Sequence, residues 1–227
     1  MIEDNPQDLT FVEFESKYSI EDHLLIEFKQ LLEGLNEKAS FIYVEGPDTY
    51  FTYPAWWLAN NPQWDAEGTF VRYRKPSYGL DNGRRQVTWK YKPVGSKNNI
   101  SREELNWNVT NDVSEKVIIR QLEQSGVHFN FSIVKNCHIY KLDDATLVFY
   151  TLYDTTDGKP KKADSFIEIE VCEEKIATLS PEQALDIIVK YEKTLAPLGI
   201  SARKRLKKSL FQMYKRPTVS QWAPHHW

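Results

Sequence analysis

Glu13-Phe14-Glu15-Ser16-Lys17 lies near the start of the chain, and its reading governs the rest. Successive side chains of an extended strand point to opposite faces, so Glu13, Glu15 and Lys17 share one face and Phe14 stands on the other. Taken alone, the pentapeptide is no more than a solvated strand face. The same alternation recurs in charged form at Arg72 and Arg74, Lys90 and Lys92, Arg102 and Glu104, and Glu168 and Glu170. Phe14, Tyr73, Trp89, Tyr91, Ile167 and Ile169 fill most of the intervening positions, so the opposite face of nearly every run is apolar. The apolar side calls for helices to cover it, and the charged side must meet water or counter-charge.

Working outward, β-type runs are expected over 10–18, 41–45, 69–74, 86–92, 100–109, 127–141, 146–154 and 165–172. Asp81-Asn82-Gly83, Gly95-Ser96 and Asp157-Gly158-Lys159-Pro160 mark turns between them. Helices are expected over 21–35 with Ser19 as cap, over 115–124, from Ser180-Pro181-Glu182-Gln183 onward, and over 201–214. Residues 46–68, rich in Pro, Asn and aromatics, read as a long ordered loop, and 215–227 as a tail. No repeat or linker divides the 227 residues, so one domain over 1–227 is expected.

Hydrophobic residues at 41% can build one core, while 27% charged residues and the lack of a long apolar run argue against a membrane protein. The acidic, polar start at Met1-Ile2-Glu3-Asp4-Asn5 lacks the pattern of a secretory signal, and a cytoplasmic location is expected. With only Cys137 and Cys172, a disulfide framework and a cysteine-rich zinc site are both excluded. The net charge of −3 gives no global pull on polyanions, so any such ligand must be held by local clustering of Lys and Arg.

If the strands form an open sheet, the charged face is simply the wet side. If they close, the charges point inward. Enclosed Lys and Arg then need counter-charge, because an unpaired ion out of water costs several kcal/mol (~). Phosphate groups supply it, held bidentately by Arg and as a point charge by Lys. The inward carboxylates would repel a polyphosphate unless a hard divalent cation such as Mg²⁺ or Mn²⁺ bridged the two.

Glu13-x-Glu15-x-Lys17, Arg72-x-Arg74, Lys90-x-Lys92 and Phe166-Ile167-Glu168-Ile169-Glu170, in that order, resemble the CYTH, or triphosphate tunnel metalloenzyme, superfamily. The resemblance spans Thr10 to Tyr214, and Lys208-Ser209-Leu210-Phe211-Gln212-Met213-Tyr214 is similar to the terminal helix motif of its members. It implies an α+β fold, a closed eight-stranded antiparallel β-barrel (a tunnel) with flanking α-helices. It also implies that Glu13, Glu15, Glu168 and Glu170, with Asp154 as a further ligand, bind Mg²⁺ or Mn²⁺. Lys17, Arg72, Arg74, Lys90, Lys92, Arg102 and Lys135 would then hold phosphates, and Glu104 would bind metal or orient water. Glu13, Glu15, Lys17 and Glu104 would form the catalytic group. The implied reaction is metal-dependent hydrolysis of an inorganic, nucleoside, thiamine or RNA 5′-triphosphate. Two alternatives stand beside it: a class IV-like adenylate cyclase, and a non-catalytic binder of nucleotide or polyphosphate.

The chain departs from the pattern at Asn106, where relatives often carry an acid, and at Cys137, where Arg is expected; Lys141 and His138 are candidates to make up that charge. Tyr50 to Trp57, with Trp64, offers rings on which a base could stack, although sealing a barrel end is the stronger reading of large aromatics. The basic run Arg203 to Lys208 reads as a hydrated helix face or as a landing site for RNA, and His225 and His226 as part of the tail.

Overall fold

A computed structural model of the chain describes residues 9–35, 40–75, 85–95, 101–110 and 112–217. Eight antiparallel strands carry the fold: β1 (Leu9–Ile20), β2 (Ser40–Thr52), β3 (Phe70–Arg74), β4 (Arg85–Tyr91), β5 (Ser101–Val109), β6 (His128–Lys141), β7 (Ala145–Asp154) and β8 (Lys161–Val171). Their order is β1-β5-β4-β3-β2-β6-β7-β8. The sheet closes on itself through β1, whose residues 9–14 pair with β5 and whose residues 15–20 pair with β8. Closure settles the choice left open by the sequence, since the alternate face of every strand now points into a lumen.

The helices are α1 (Leu25–Glu33), α2 (Ala55–Asn60), α3 (Glu115–Gln124), α4 (Glu173–Ile176), α5 (Pro181–Thr194) and α6 (Leu210–Tyr214). Phe28 and Leu32 of α1 and Ile188 and Tyr191 of α5 pack on Phe14, Phe149, Ile167 and Ile169, the outer residues of β1, β7 and β8. Ile118, Ile119 and Leu122 of α3 cover Phe51, Val71, Tyr73 and Val87 in the same way. Burial of each such side chain contributes about 1.5–3 kcal/mol, which is what turns the charged face inward. Among the described residues no helix is long and apolar enough to cross a membrane.

Several sequence expectations are corrected. Strand β1 runs on through Ser19, which pairs with Phe166 instead of capping a helix, and α1 begins only after a 3-10 turn at Asp22–Leu24. The expected loop over 46–68 is strand β2 as far as Thr52, followed by α2. Pro47 is tolerated there because its carbonyl accepts from Lys75 N at 3.1 Å, just past the end of β3, so its missing N–H falls where that ladder is already ending. The expected helix over 201–214 is a 3-10 turn at Ala202–Lys204, an irregular stretch and the short α6. Tertiary bonds hold that stretch out of a helix: Leu206 N donates to Lys17 O at 2.8 Å, and Arg205 Nη2 donates to Glu192 Oε2 at 2.8 Å.

The capping signal at Ser180 holds, with Ser180 N donating to Gln183 Oε1 at 2.8 Å and Gln183 N donating to Ser180 Oγ at 3.3 Å. The same box recurs at Ser209 and Gln212 and starts α6. The turn at Asp157-Gly158 also holds, Gly158 taking the left-handed φ of 82°. The turn at Asp81-Asn82-Gly83, the start Met1 to Asn5, and His225 and His226 lie outside the described residues.

Candidate functional site

One cavity of about 230 Å³ occupies the lumen, lined by six glutamates (Glu13, Glu15, Glu104, Glu168, Glu170, Glu173) and five basic side chains (Lys17, Arg72, Arg74, Lys90, Lys135). Except for Glu173, which follows β8, each of these comes from an inward strand position. The acids come from β1, β5 and β8. Among the described residues the bases come from β3, β4 and β6, with Lys17 on the acidic wall.

Register pairs these charges. Lys17 faces Glu168, Lys90 faces Glu104 and Arg74 faces Asp48 as directly opposed residues of neighbouring strands. Lys17 Nζ is 2.7 Å from Glu168 Oε1 and 3.6 Å from Glu15 Oε1. Lys90 Nζ donates to Glu13 Oε2 at 2.8 Å and forms an ion pair with Glu104. Tyr150 OH donates to Glu168 Oε1 at 2.9 Å. Arg72 meets no carboxylate among the described residues; its Nη2 donates to Thr88 Oγ1 at 3.2 Å, and that hydroxyl donates to Asn106 Oδ1 at 2.7 Å. Its buried Nε has no hydrogen-bond partner among the described residues.

One opposed pair is of like charge. Glu15 faces Glu170 across β1 and β8, an arrangement that destabilises a sheet unless something positive sits nearby. Burial, then Glu15, then Glu168, push the Glu170 carboxyl up to about 7. Burial and the neighbouring Glu104 and Glu15 raise Glu13 well above the carboxylate range, against the pull of Lys90. Glu168 moves the other way: burial opposes its charge, but Lys17 and Lys135 together hold the carboxyl low.

The acidic wall therefore gathers Glu13, Glu15 and Glu170 close together, with Lys90 set against Glu13 and Lys17 against Glu15. Its donors there are all carboxylate oxygens, the chemistry a hard divalent cation prefers. Among the described residues no three of them converge closely enough to hold an ion as they stand, because the ammonium groups of Lys17 and Lys90 lie between them.

The lumen is stoppered at one end. Leu210 and Phe211 of α6 insert among Tyr50, Phe70, Phe131, Tyr150 and Phe166, all inward residues, and Phe211 is fully buried with its ring 4.6 Å from that of Phe70. The segment is tied down on both sides, at Leu206 to Lys17 O and at Arg216, whose N and O exchange hydrogen bonds with the Asn130 side chain at 2.8 and 3.0 Å.

Two expected site residues fall outside the cavity. Lys92 lies one residue beyond β4, crosses over Gly68 so closely that a Cβ there would lie 2.4 Å from its Cδ, and ends 3.3 Å from Asp65. Asp154, at the last position of β7, accepts from Arg216 Nη2 at 3.2 Å and from Thr156 N at 2.9 Å. Both stand at or just past a strand end, and their charges are taken up there by Asp65 and Arg216. Arg102 pairs with Glu13 through its backbone, and its side chain lies outside the described set. Neither candidate to replace the missing arginine lines the cavity: His138 stacks on Phe41 with ring centroids 5.6 Å apart, and Lys141 is exposed at the end of β6. Burial pushes the Cys137 thiol up to about 12, so it carries no charge at neutral pH.

The aromatic stretch divides. Tyr50 belongs to the stoppered end, stacked on Phe131 at 4.5 Å, whereas Tyr53 stacks on Trp57 at 4.0 Å and Trp64 meets Tyr91 at 5.1 Å on the outer side. Only Tyr50 of this stretch lines the cavity. Sequence reasoning missed Asp48, Gln86, Thr88 and Glu173. Asp48 lay in the segment read as loop, and once β2 is extended its spacing from Tyr50 marks it as inward.

No protein-family model and no curated protein matches the chain. Solved structures do. A Pyrococcus horikoshii OT3 protein superposes with a TM-score of 0.63 at 23% identity, over 90% of this chain and 99% of that one. A Bacillus halodurans protein described provisionally as an adenylate cyclase gives 0.55 at 13%, over 90% and 98%. A Hippeastrum protein, provisionally an adenylyl cyclase and reported to have a dominant triphosphatase activity, gives 0.51 at 15%, over 91% and 95%. The shared feature is the fold, an eight-stranded antiparallel sheet with flanking helices, which is the architecture the sequence resemblance implied.

Proposed function

We propose that the chain is a triphosphate hydrolase working inside its lumen. The observation that carries this is the division of one cavity in the lumen into an acidic wall and a basic wall, with Arg72 left without a carboxylate partner among the described residues. A phosphate chain laid against the basic wall meets Arg72, Arg74 and Lys135, and its charge is the complement those groups need. Glu13, Glu15, Glu168 and Glu170 would hold a divalent cation, Mg²⁺ or Mn²⁺. When bound, that ion supplies charge neutralisation at the phosphate oxygens and lowers the pKa of water.

The chain's own residues then position and exclude. Lys17 and Lys90 stand between the walls, within reach of acids now and of phosphate oxygens once these arrive. Glu104, held in its charged form by Lys90 despite burial, would bind metal or orient the attacking water. Phe211 and its neighbours close the floor and keep bulk water from that end. The reading is supported in kind by the Hippeastrum protein, which shares the fold.

The test is to incubate the purified chain with Mg²⁺ or Mn²⁺ and separately ATP, GTP, tripolyphosphate, thiamine triphosphate and a 5′-triphosphorylated RNA, resolving the products. Orthophosphate release supports hydrolysis, cyclic nucleotide would assign a cyclase, and saturable binding with no product would assign a binder.

A further inference from the structure

Asp48 lies outside the charged alternation of the sequence, yet at 1% exposure it is the most enclosed charged side chain among the described residues. It sits on β2 between Arg74 of β3 and Ile133 of β6. Its two oxygens accept from Arg74 Nε at 2.7 Å and Nη2 at 2.9 Å, and Oδ2 lies 3.6 Å from Lys135 Nζ. Burial by itself would raise its pKa, but Arg74, Arg72 and Lys135 together hold it well below the carboxylate range, so it is charged whenever the protein is folded near neutrality.

A negative charge in the middle of a phosphate grip is at first sight counterproductive, since it cancels part of the attraction. What it provides is order. Arg and Lys side chains lose much rotamer freedom when they are ordered, and cations left to themselves in one wall repel each other. The bidentate clasp uses Nε and Nη2 of Arg74 and leaves Nη1 without a partner among the described residues. Lys135 is confined in turn between Asp48 and the Tyr150 ring, whose centroid is 5.0 Å from Nζ.

The geometry points to Asp48 as a positioning residue, which sets Arg74 and Lys135 before the phosphate chain arrives so that binding need not order them. This rests on the phosphate-binding reading above. Asp48 lies behind the cations and acts through them.

The experiment separates this from charge counting by sign. Removing one negative charge with Asp48→Asn should tighten anion binding if only net charge matters, and weaken it if the clasp matters. Affinity is measured calorimetrically with Mg²⁺ and imidotriphosphate, whose bridging nitrogens resist hydrolysis. The expected result is binding at least 10-fold weaker in Asp48→Asn, with Arg74→Gln adding little in that background because its guanidinium is already unplaced. Equal or tighter binding by the variant overturns the assignment.

Should Asp48→Asn fail to fold, Asp48→Glu keeps the charge but pushes the guanidinium by one methylene. Weaker binding at an unchanged Tm supports positioning, and wild-type affinity overturns it. If the wild-type chain itself takes up no analogue, the phosphate-binding reading falls and the role of Asp48 with it. If the wild type binds and both variants bind equally well, only the role of Asp48 falls.

Discussion

Replacing Lys90 by methionine tests the charge pairing of the lumen directly. Lys90 has 6% of its side chain exposed and serves Glu13 and Glu104, which show 11% and 4%. The thioether fills most of the volume, so packing is nearly kept and the lost term is electrostatic. Breaking a buried pair by removing one partner costs about 3–5 kcal/mol, because the other charge remains buried and uncompensated. For a chain of this size that corresponds to a fall in Tm of roughly 6–20 °C.

The loss should depend on pH in a defined direction. Glu13 already has a raised pKa, and in the variant both it and Glu104 lose their nearest cation, so both rise above their unfolded values. Acids whose folded pKa is raised bind more protons folded than unfolded, so the variant regains stability as pH falls and loses it as pH rises. A divalent cation entering the same carboxylates would restore about 2.7 kcal/mol at a concentration 100 times its Kd. Urea denaturation of wild type and Lys90→Met at pH 5, 7 and 8, with and without Mg²⁺, reads all three effects. A variant as stable as wild type at pH 7, or one whose deficit does not change with pH, would refute the pairing argument.

Three further outcomes follow from the same structure. Phe211→Ala empties the stopper of a fully buried ring and should cost about 3–5 kcal/mol, seen as a lower urea midpoint. Asp48 has a depressed pKa, so the stability it confers is complete above about pH 4, its unfolded value, and drains away as pH falls through the folded one. Wild type should therefore lose stability below pH 4 more steeply than Asp48→Asn, as measured by denaturant midpoints at pH 3 and pH 6. Glu13→Gln should release orthophosphate from tripolyphosphate at under about one-hundredth of the wild-type rate, since one neutralised carboxylate leaves the acidic wall short of a ligand; activity within threefold of wild type would remove Glu13 from that role.

The inward set was readable because strand periodicity is local. Each of Glu13, Glu15, Lys17, Arg72, Arg74, Lys90, Glu104, Glu168 and Glu170 follows from a two-residue repeat that survives wherever the strand does, and Lys135 obeyed the same rule on β6. Lys92 and Asp154 follow the same spacing but stand at or past strand ends, and neither lines the cavity. The 46–52 stretch was misread because Gly46 and Pro47 are breakers by propensity, and only pairing with β6 along its whole length keeps it extended. Residues 201–208 were misread for the complementary reason, a helical composition overridden by bonds to Lys17 and Glu192.

By itself the sequence determined which side chains share a face and that the two faces differ, since alternation needs only neighbouring residues. Tertiary structure alone decided that the charged face turns inward, that Glu15 meets Glu170 while Lys17 meets Glu168, and that Asp48 stands behind Arg74. Those facts depend on register between strands far apart along the chain, and register is set when β1 is shared by β5 and β8 and the helices cover the outside.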